Sequence, residues 1–139
     1  MNKVEIKKYL EYRESEILEL YKAVGWKNYY ENPNMLKQAY NSSLCIMGAY
    51  LDSKLVGIIR VVGDGISIIY IQDIIVSPLH QRTGIGSLLL NTILENYNNV
   101  YQKVLLTDKQ PETLKFYESM GFNYVEKFGC IGLLKQAMR

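Results

Sequence analysis

The chain has 139 residues, of which 48% are hydrophobic, and its formal net charge at neutral pH is +2. This length suffices for one domain with a hydrophobic core, so we expect a single domain over residues 1–139. No apolar run approaches the roughly 20 residues of a membrane span, and the small, scattered positive charge argues against a nucleic-acid partner. Because the N-terminus lacks a signal-peptide core, a cytoplasmic protein without membrane contact is the expectation.

The sequence offers few side chains for metal or thiol chemistry. Cys45 and Cys130 are the only cysteines, and His80 is the only histidine. A structural zinc site usually takes four such ligands, so no metal site is expected. Two widely separated cysteines in a cytoplasmic chain indicate free thiols rather than a disulfide.

The first third of the chain predicts one short strand and two helices. Residues 4–6 alternate between apolar and charged side chains, as a strand does. Ser15 is a candidate helix cap, and the helix that follows it ends at Gly25. Residues 24–30 then form an aromatic loop, and residues 32–41 form a second helix with a proline at its first position.

Three strands are predicted next, in an antiparallel meander. Residues 44–51 and 55–62 are largely apolar runs joined by a turn at residues 52–54. A glycine-containing turn at residues 63–65 leads into the third strand, residues 66–76.

A glycine-containing loop and a helix follow this third strand. The loop reads Gln81-Arg82-Thr83-Gly84-Ile85-Gly86-Ser87, and apolar residues then recur at helical spacing up to Tyr97. Glycine permits close approach of a ligand, and the unpaired N–H groups and dipole of a helix start attract anions, so the loop is predicted to bind phosphate. An ordinary strand-to-helix turn is the structural alternative. The dinucleotide fingerprint lacks its third glycine here, and the nucleotide-triphosphatase loop lacks its lysine.

The last third of the chain predicts four further elements. Residues 103–107 form a short strand, and a helix runs from Pro111 to Met120, closed by Gly121. Residues 124–127 and 131–134 are predicted to be the last two strands.

Two motifs resemble those of the GNAT N-acetyltransferase superfamily. Residues 81–86 are similar to its Gln/Arg-x-x-Gly-x-Gly/Ala signature, which follows a strand ending in Val-x-Pro, as Val76-Ser77-Pro78 does here. Residues 116–122 resemble the Phe-Tyr-x-x-x-Gly-Phe block. The resemblance implies a small, single-domain member of bacterial type. The implied GNAT fold is α/β (α+β), with a mixed, mostly antiparallel sheet of six to seven strands flanked by about four helices.

The resemblance also implies that acetyl-CoA is the co-substrate. Its pantetheine arm would follow the backbone of the third meander strand, and its pyrophosphate would lie against the glycine loop, where Arg82 adds charge. Tyr117 would lie beside the cofactor sulfur and protonate the leaving thiolate. Gln110 stands where many members have an asparagine that touches pantetheine, which leaves this contact open. The predicted cofactor-binding residues are Ile74, Ile75, Val76, Gln81, Arg82, Thr83, Gly84, Ile85, Gly86, Ser87, Gln110 and Tyr117.

Four residues are predicted to bind the acceptor. Asp73 is the one ionisable side chain of an apolar strand, so it would bind the acceptor ammonium, take its proton or direct a water; Tyr70 on the same strand is the second candidate. Trp26 and Tyr29 offer aromatic surface for a cation with an apolar body. The structural alternatives are an aspartate that caps backbone groups at a strand bulge and a tryptophan that anchors two helices. The predicted catalytic pair is Tyr117 and Asp73.

These residues predict an acetyl-CoA-dependent N-acetyltransferase that acts on a primary amine, with small and aromatic amines among the candidates. A peptide or protein acetyltransferase, acting on an N-terminus or a lysine, is the first alternative. A non-catalytic acyl-CoA-binding module, or one member of a toxin–antitoxin pair, is the second. A homodimer is one expectation, because dimers are common in the family.

Overall fold

A five-stranded sheet organises the larger of the two units into which the chain divides, Met1–Leu106 and Thr107–Arg139. The computed structural model describes residues 3–137. The strands lie side by side in chain order; the first four are antiparallel, and the fifth is parallel to the fourth. Their bounds are β1 Val4–Lys8, β2 Cys45–Leu51, β3 Lys54–Gly63, β4 Ile68–Val76 and β5 Gln102–Leu105.

Four of the helices belong to the first unit and one to the second. Their bounds are α1 Glu14–Ala23, α2 Lys27–Tyr30, α3 Pro33–Asn41, α4 Ile85–Asn96 and α5 Pro111–Ser119. Two 3-10 turns, Pro78–His80 and Val125–Phe128, complete the described elements. In residues 3–137 no helix combines the length and the apolar character that crossing a bilayer requires.

The meander forms where the sequence predicts it. Asp52 and Ser53 have φ angles of 51° and 66°, so both central residues of the hairpin turn are left-handed. Such turns match the right-handed twist of the strands that they join. β3 is buried along most of its length, which explains its nearly unbroken apolar sequence.

Helices cover both faces of this sheet. Buried residues of α1 and α3, with Ile58 and Ile75 of the sheet, form one apolar cluster. The neighbouring Gly57 points to the opposite face, where a Cβ atom would lie 3.3 Å from Leu89 and 3.4 Å from Ile85 of α4. Glycine at this position therefore lets α4 pack closely on β3.

The cap of α1 differs from the prediction. The helix begins at Glu14 after Arg13, so Ser15 lies inside the first turn and is not the cap. The hydroxyl of Tyr9 takes over this function: it accepts a hydrogen bond from the Arg13 N–H at 3.0 Å and donates one to Glu16 at 2.7 Å. A side chain from outside the helix therefore satisfies one backbone N–H at its start and holds Glu16 of its first turn.

The α/β class is confirmed, but the number of strands is not. Five strands occur in residues 3–137, where six to seven were predicted. Residues 125–128 form a 3-10 turn, and residues 131–134 have no regular structure, so the two last predicted strands are wrong. The aromatic loop contains the single turn α2, so residues 3–137 form five helices, where about four were predicted. That the whole chain acts as one domain stays a prediction.

Candidate functional site

The two halves of β4 differ in their pairing. β5 pairs with Ile68–Ile71 and stops there, whereas β3 continues to pair with β4 as far as Val76. Within residues 3–137, the β5-side edge of residues 72–76 therefore has no strand beside it. This open half contains Ile74, Ile75 and Val76, the segment predicted to carry pantetheine, and its edge can pair with an extended ligand.

A β-bulge marks the boundary between the two halves. Arg60 of β3 lies opposite Asp73, and the next residue, Val61, lies opposite Ile71, so Gln72 is left over. Because of this extra residue, Tyr70 and Asp73 point to the same face of the sheet although they are three positions apart. The bulge thus brings together two of the predicted acceptor residues.

The loop after β4 is held to that strand by its own side chains. The side-chain amide of Gln81 donates to the Val76 carbonyl at 3.1 Å, and the Thr83 hydroxyl donates to the His80 carbonyl. Arg82 and Gly84 both have left-handed backbone, with φ of 65° and 90°. Gln81 and Thr83, two of the residues predicted to bind the cofactor, therefore use their side chains to fix the shape of the loop.

The start of α4 has the geometry of an anion site. Gly84 is its N-terminal cap and has no side chain that could bond to the first N–H groups. The first backbone hydrogen bond of the helix runs from the Leu88 N–H to the Gly84 carbonyl at 3.0 Å. The N–H groups of residues 85–87 precede that bond at the positive end of the dipole. Ile85 is buried, so it offers a ligand only its backbone.

A buried ionic network lies beneath the open half of β4. One carboxylate oxygen of Asp73 accepts hydrogen bonds from Arg60 Nε and from the Tyr21 hydroxyl, both at 2.7 Å. The Tyr21 hydroxyl is also 3.0 Å from that of Tyr40. Asp73 is 2% exposed and Arg60 is 5% exposed, so the ion pair is shielded from solvent.

This network shifts the ionisation of its members. Burial, followed by the nearby Tyr40 and Asp73, raises the pKa of Tyr21 well above its ordinary value. Burial alone would lower the pKa of Arg60, but the adjacent carboxylate of Asp73 outweighs it, and the pKa of Arg60 rises. At neutral pH the network therefore holds a neutral phenol and a charged guanidinium.

Aromatic rings connect this network to the loop before α3. The ring of Tyr21 is 5.9 Å from that of Trp26 and 5.4 Å from that of Tyr29, measured between centroids. Trp26 is 36% exposed, and Gln72 of the bulge donates a hydrogen bond to the Tyr29 hydroxyl at 3.0 Å. The structure thus brings Trp26, Tyr29 and Asp73 together through Tyr21.

Tyr70 is the fourth predicted acceptor residue. Burial raises the pKa of its phenol, and a hydrogen bond from the Leu106 N–H opposes this shift. The neighbouring Tyr29 and Asp73 raise the pKa of Tyr70 further, which shows that all three belong to one electrostatic environment.

Sequence reasoning missed the partners of Asp73. Arg60, Tyr21 and Tyr40 were assigned no role, and Gln72 was not singled out. The sequence did contain a signal for the ion pair. Arg60 and Asp73 carry opposite charges, each lies within an apolar run, and a single turn joins their strands. Such a pair predicts a buried cross-strand ion pair whenever the register places the two residues opposite each other.

In the second unit, Tyr117 lies on α5 between two phenylalanines. Its ring centroid is 5.0 Å from that of Phe116 and 5.9 Å from that of Phe122, and Tyr117 is 8% exposed. Burial, followed by the charge of Asp108, raises the pKa of Tyr117 to about 12. The phenol therefore stays protonated at neutral pH.

Gln110, the other cofactor candidate of this unit, directly precedes α5. Its backbone N–H donates to the Asp108 carboxylate at 3.0 Å, and its side chain does not cap the helix. Its contact with the cofactor stays a prediction.

Comparison with known proteins extends over both units. The family model described as "Acetyltransferase (GNAT) domain" matches residues 11–130. A GNAT-family acetyltransferase of Streptococcus pneumoniae TIGR4 has a similar structure, with a TM-score of 0.88 and 39% identity, and the match covers 99% of this chain and 100% of that one.

Two further proteins are more distant. The PaiA N-acetyltransferase of Thermoplasma acidophilum, solved in complex with coenzyme A, has a TM-score of 0.69 at 18% identity, over 88% of this chain and 91% of that one; it shows the fold alone. The "Uncharacterized N-acetyltransferase ycf52-like" of Prochlorococcus marinus is 27% identical over an alignment of 118 residues, which covers 81% of this chain. The chain spans 63% of the length of that curated relative. The family model and the streptococcal structure agree, and the chain belongs to the GNAT acetyltransferase family.

Proposed function

We propose that this chain transfers an acetyl group from acetyl-CoA to a primary amine. The observation that carries the proposal is the interrupted pairing of β4, which has an open edge from residue 72 onward and then leads into the glycine loop and α4. An extended thioester cofactor needs such an edge for its amide groups and a helix start for its pyrophosphate. In this proposal one strand and the helix that follows it hold both parts of the cofactor.

The backbone of Ile74, Ile75 and Val76 would pair with the pantetheine amides as an added strand would. The Val76 carbonyl already accepts from Gln81, so the remaining groups of this edge carry the pairing. The backbone of residues 82–87 would surround the pyrophosphate, and Arg82 would add positive charge. An N–H group of the open edge is also suited to stabilise the oxyanion of the thioester.

The acceptor would bind over the bulge, between the aromatic rings and Gln72. Apolar surface comes from the rings of Trp26, Tyr29 and Tyr70, whose faces also attract cations. The exposed Gln72 supplies a polar edge. This combination favours an amine with an aromatic or apolar body.

Two roles for Asp73 follow from its position beneath this surface. Its carboxylate could take the proton of the arriving ammonium directly, as the sequence predicts. We favour the other role, in which Asp73 fixes Tyr21 and the rings above it, and water takes the proton. Protonating Asp73 would leave Arg60 as an uncompensated buried cation, which is costly.

Tyr117 is proposed as the donor to the leaving thiolate. The motif that contains it supports this role, as does its pKa of about 12, which keeps the hydroxyl protonated. Such a phenol is well suited to donate a hydrogen bond to a thiolate, whether or not the proton is transferred completely.

An acceptor screen tests the proposed reaction. Purified protein is incubated with acetyl-CoA and single members of a panel of aromatic amines, polyamines and short peptides, and the release of free thiol is followed. We expect the fastest release with an aromatic or apolar amine and a rate that rises with pH, since the free amine is the nucleophile. Turnover only with peptides would select the peptide acetyltransferase instead. Cofactor binding without turnover of any acceptor would favour the non-catalytic module.

The pH profile then separates the two roles of Asp73. If the carboxylate is the base, its protonation causes the rate to fall toward acid pH. Asp73→Asn then removes this fall from the pH profile and lowers kcat at every pH. If Asp73 only positions Tyr21, the profile of the variant keeps its shape, and the loss falls mainly on the KM of the acceptor.

A further inference from the structure

The carboxylate beneath the proposed acceptor surface is already paired with a cation. Asp73 Oδ2 lies 2.7 Å from Arg60 Nε, and the side chains of these two residues are 1% and 6% exposed, respectively. The same oxygen accepts a hydrogen bond from the Tyr21 hydroxyl at 2.7 Å. An ammonium that approaches this surface therefore meets an ion pair without net charge, because repulsion by Arg60 offsets most of the attraction by Asp73.

The other groups around this pair do not supply a negative charge to the surface. Burial raises the pKa of Tyr21 and of Tyr40 well above the ordinary value, so both phenols stay neutral. Burial also raises the pKa of Tyr70, and within residues 3–137 Asp73 is the one carboxylate that adds to this shift. Helix α2 contains no acidic residue, and Glu31, which follows it, is exposed, so water screens its charge.

A strongly basic amine is therefore a poor ligand for this surface. An alkylamine with a pKa of about 10.4 is neutral only to about one part in 2,500 at pH 7. Contact of its ammonium with the exposed rings offsets this loss only about twofold to fivefold. A weakly basic amine does not have this disadvantage: a group with a pKa of about 7.7–8.0, as an α-amino group has, is about 10–20% neutral at pH 7.

We propose that this site selects its acceptor by basicity, in that it binds the free base of a weakly basic primary amine with an aromatic body. The inference rests on the proposed acetyl transfer and narrows its substrate class. The nitrogen forms the new C–N bond as the C–S bond breaks, and one of its protons ends on the departing sulfur, directly or through water. Asp73 takes no proton in this step, so its ion pair with Arg60 stays intact.

Gln72 is suited to hold the free base at this surface. Its side-chain Nε2 donates to the Tyr29 hydroxyl at 3.0 Å, which fixes the orientation of the amide. The amide oxygen can then accept a hydrogen bond from an N–H group of the neutral amine. An amide provides this contact without the charge that would favour the ammonium.

A matched pair of amines tests the selection. Phenethylamine and its β,β-difluoro derivative have the same ring and the same length, but the fluorines withdraw electron density and make the amine much less basic. At neutral pH we expect kcat/KM to favour the fluorinated amine at least about tenfold, because its larger fraction of free base outweighs its weaker nucleophilicity. The KM of phenethylamine should fall about tenfold for each pH unit toward its pKa. Release of free thiol measures both.

Competition shows whether the ammonium itself binds. Phenethylamine is almost entirely ammonium at neutral pH, so it should inhibit turnover of the fluorinated amine only at concentrations at least about 100-fold above the KM of that amine. Inhibition near that KM, or a kcat/KM for phenethylamine that equals the fluorinated one, would overturn the selection and leave acetyl transfer standing. So would a fluorinated amine that stays unacetylated while other amines of the panel react. Absence of thiol release with every amine would overturn acetyl transfer itself.

A single charge should reverse the discrimination against the ammonium. Gln72→Glu keeps the size of the side chain, and its carboxylate can accept from the Tyr29 hydroxyl. We expect the inhibition constant of phenethylamine to fall about fivefold or more, because an ammonium then meets an uncompensated charge. Ile66→Glu, in the turn before β4 where Ile66 is 78% exposed, adds the same charge away from this surface and should leave the constant unchanged. An unchanged constant in Gln72→Glu would show that the amine binds elsewhere and would overturn the proposal.

Discussion

The two halves of β4 are both rich in isoleucine, but they differ in their backbone pairing. Ile68–Ile71 lies between β3 and β5, and its backbone is paired on both sides. Residues 72–76 also contain three β-branched residues, but they have a strand on one side only. The difference arises from the end of β5 at Leu105 and from the bulge at Gln72, and neither changes the apolar character of β4.

This difference shows how a sheet can keep an open strand in place. A half-paired strand loses part of its hydrogen bonding, and here we expect buried side chains to support it. Asp73, Arg60 and Tyr21 form that support, because their hydrogen bonds join β4 to β3 and α1 at the residue next to the bulge. We expect this support to hold the open half on the sheet when its edge pairs with a ligand.

The largest effect is expected from removing the support. Arg60→Met leaves the carboxylate of Asp73 buried without its cation and should lower the free energy of unfolding by about 3–5 kcal/mol. The double variant Arg60→Met, Asp73→Met should recover most of this loss, because it removes both charges. Urea denaturation measures these differences.

An exposed ion pair provides the control for that experiment. Lys54 and Glu19 are 3.8 Å apart, with side chains about 70% and 69% exposed, and Lys54→Met should cost less than about 1 kcal/mol. If Arg60→Met costs no more than Lys54→Met, the buried network does not support the open half.

The next largest effect concerns the glycine loop that follows the open half. Gly84→Leu should weaken acetyl-CoA binding about 100-fold, because a side chain would enter the space of the pyrophosphate. Gly25→Leu is the matched control: its φ of 76° resembles the 90° of Gly84, and an added Cβ meets nothing within 4 Å at either site. Both variants should lose about 1–2 kcal/mol of stability to left-handed strain. Titration calorimetry should therefore show weaker acetyl-CoA binding for Gly84→Leu than for Gly25→Leu. Equal affinities would show that the loop is not part of the cofactor site.

A smaller effect is expected from removing the hydroxyl of Tyr117. This change tests whether the reaction depends on a residue of the second unit as well as on β4. Tyr117→Phe keeps the ring between Phe116 and Phe122 and removes the hydroxyl, so kcat should fall about tenfold with little change in acetyl-CoA affinity. Tyr124→Phe makes the same change at a residue that is 55% exposed and should leave kcat unchanged. Unaltered turnover in Tyr117→Phe would assign this tyrosine to packing alone.

The smallest effect concerns the acceptor surface above the bulge. Trp26→Ala and Gln72→Ala should each raise the KM of the acceptor about threefold to tenfold and leave the KM of acetyl-CoA unchanged. Ile66→Ala, at an exposed turn residue, serves as the control. If both variants keep the acceptor kinetics of the unaltered chain, the acceptor binds elsewhere.

Much of the fold follows from local sequence signals. The hairpin at Asp52 and Ser53, the strand–loop–helix unit around Gly84 and the helix that begins at Pro111 all form where predicted. Each depends on residues close together in the chain, so turn chemistry and side-chain periodicity suffice to locate them. The family motifs were located by their resemblance to known signatures, and that resemblance implied the predicted cofactor residues.

The sequence by itself determined the α/β class, the glycine loop and the two motifs that place the chain in its family. Only the tertiary structure decided that Arg60 pairs with Asp73, that Gln72 forms a bulge and that β5 ends early enough to open half of β4. It also decided that residues 131–134 form no strand, although their sequence suits one. The physical reason is common to all four: strand register and strand partners depend on backbone groups far apart in the chain, and side-chain pattern alone does not specify which of them meet.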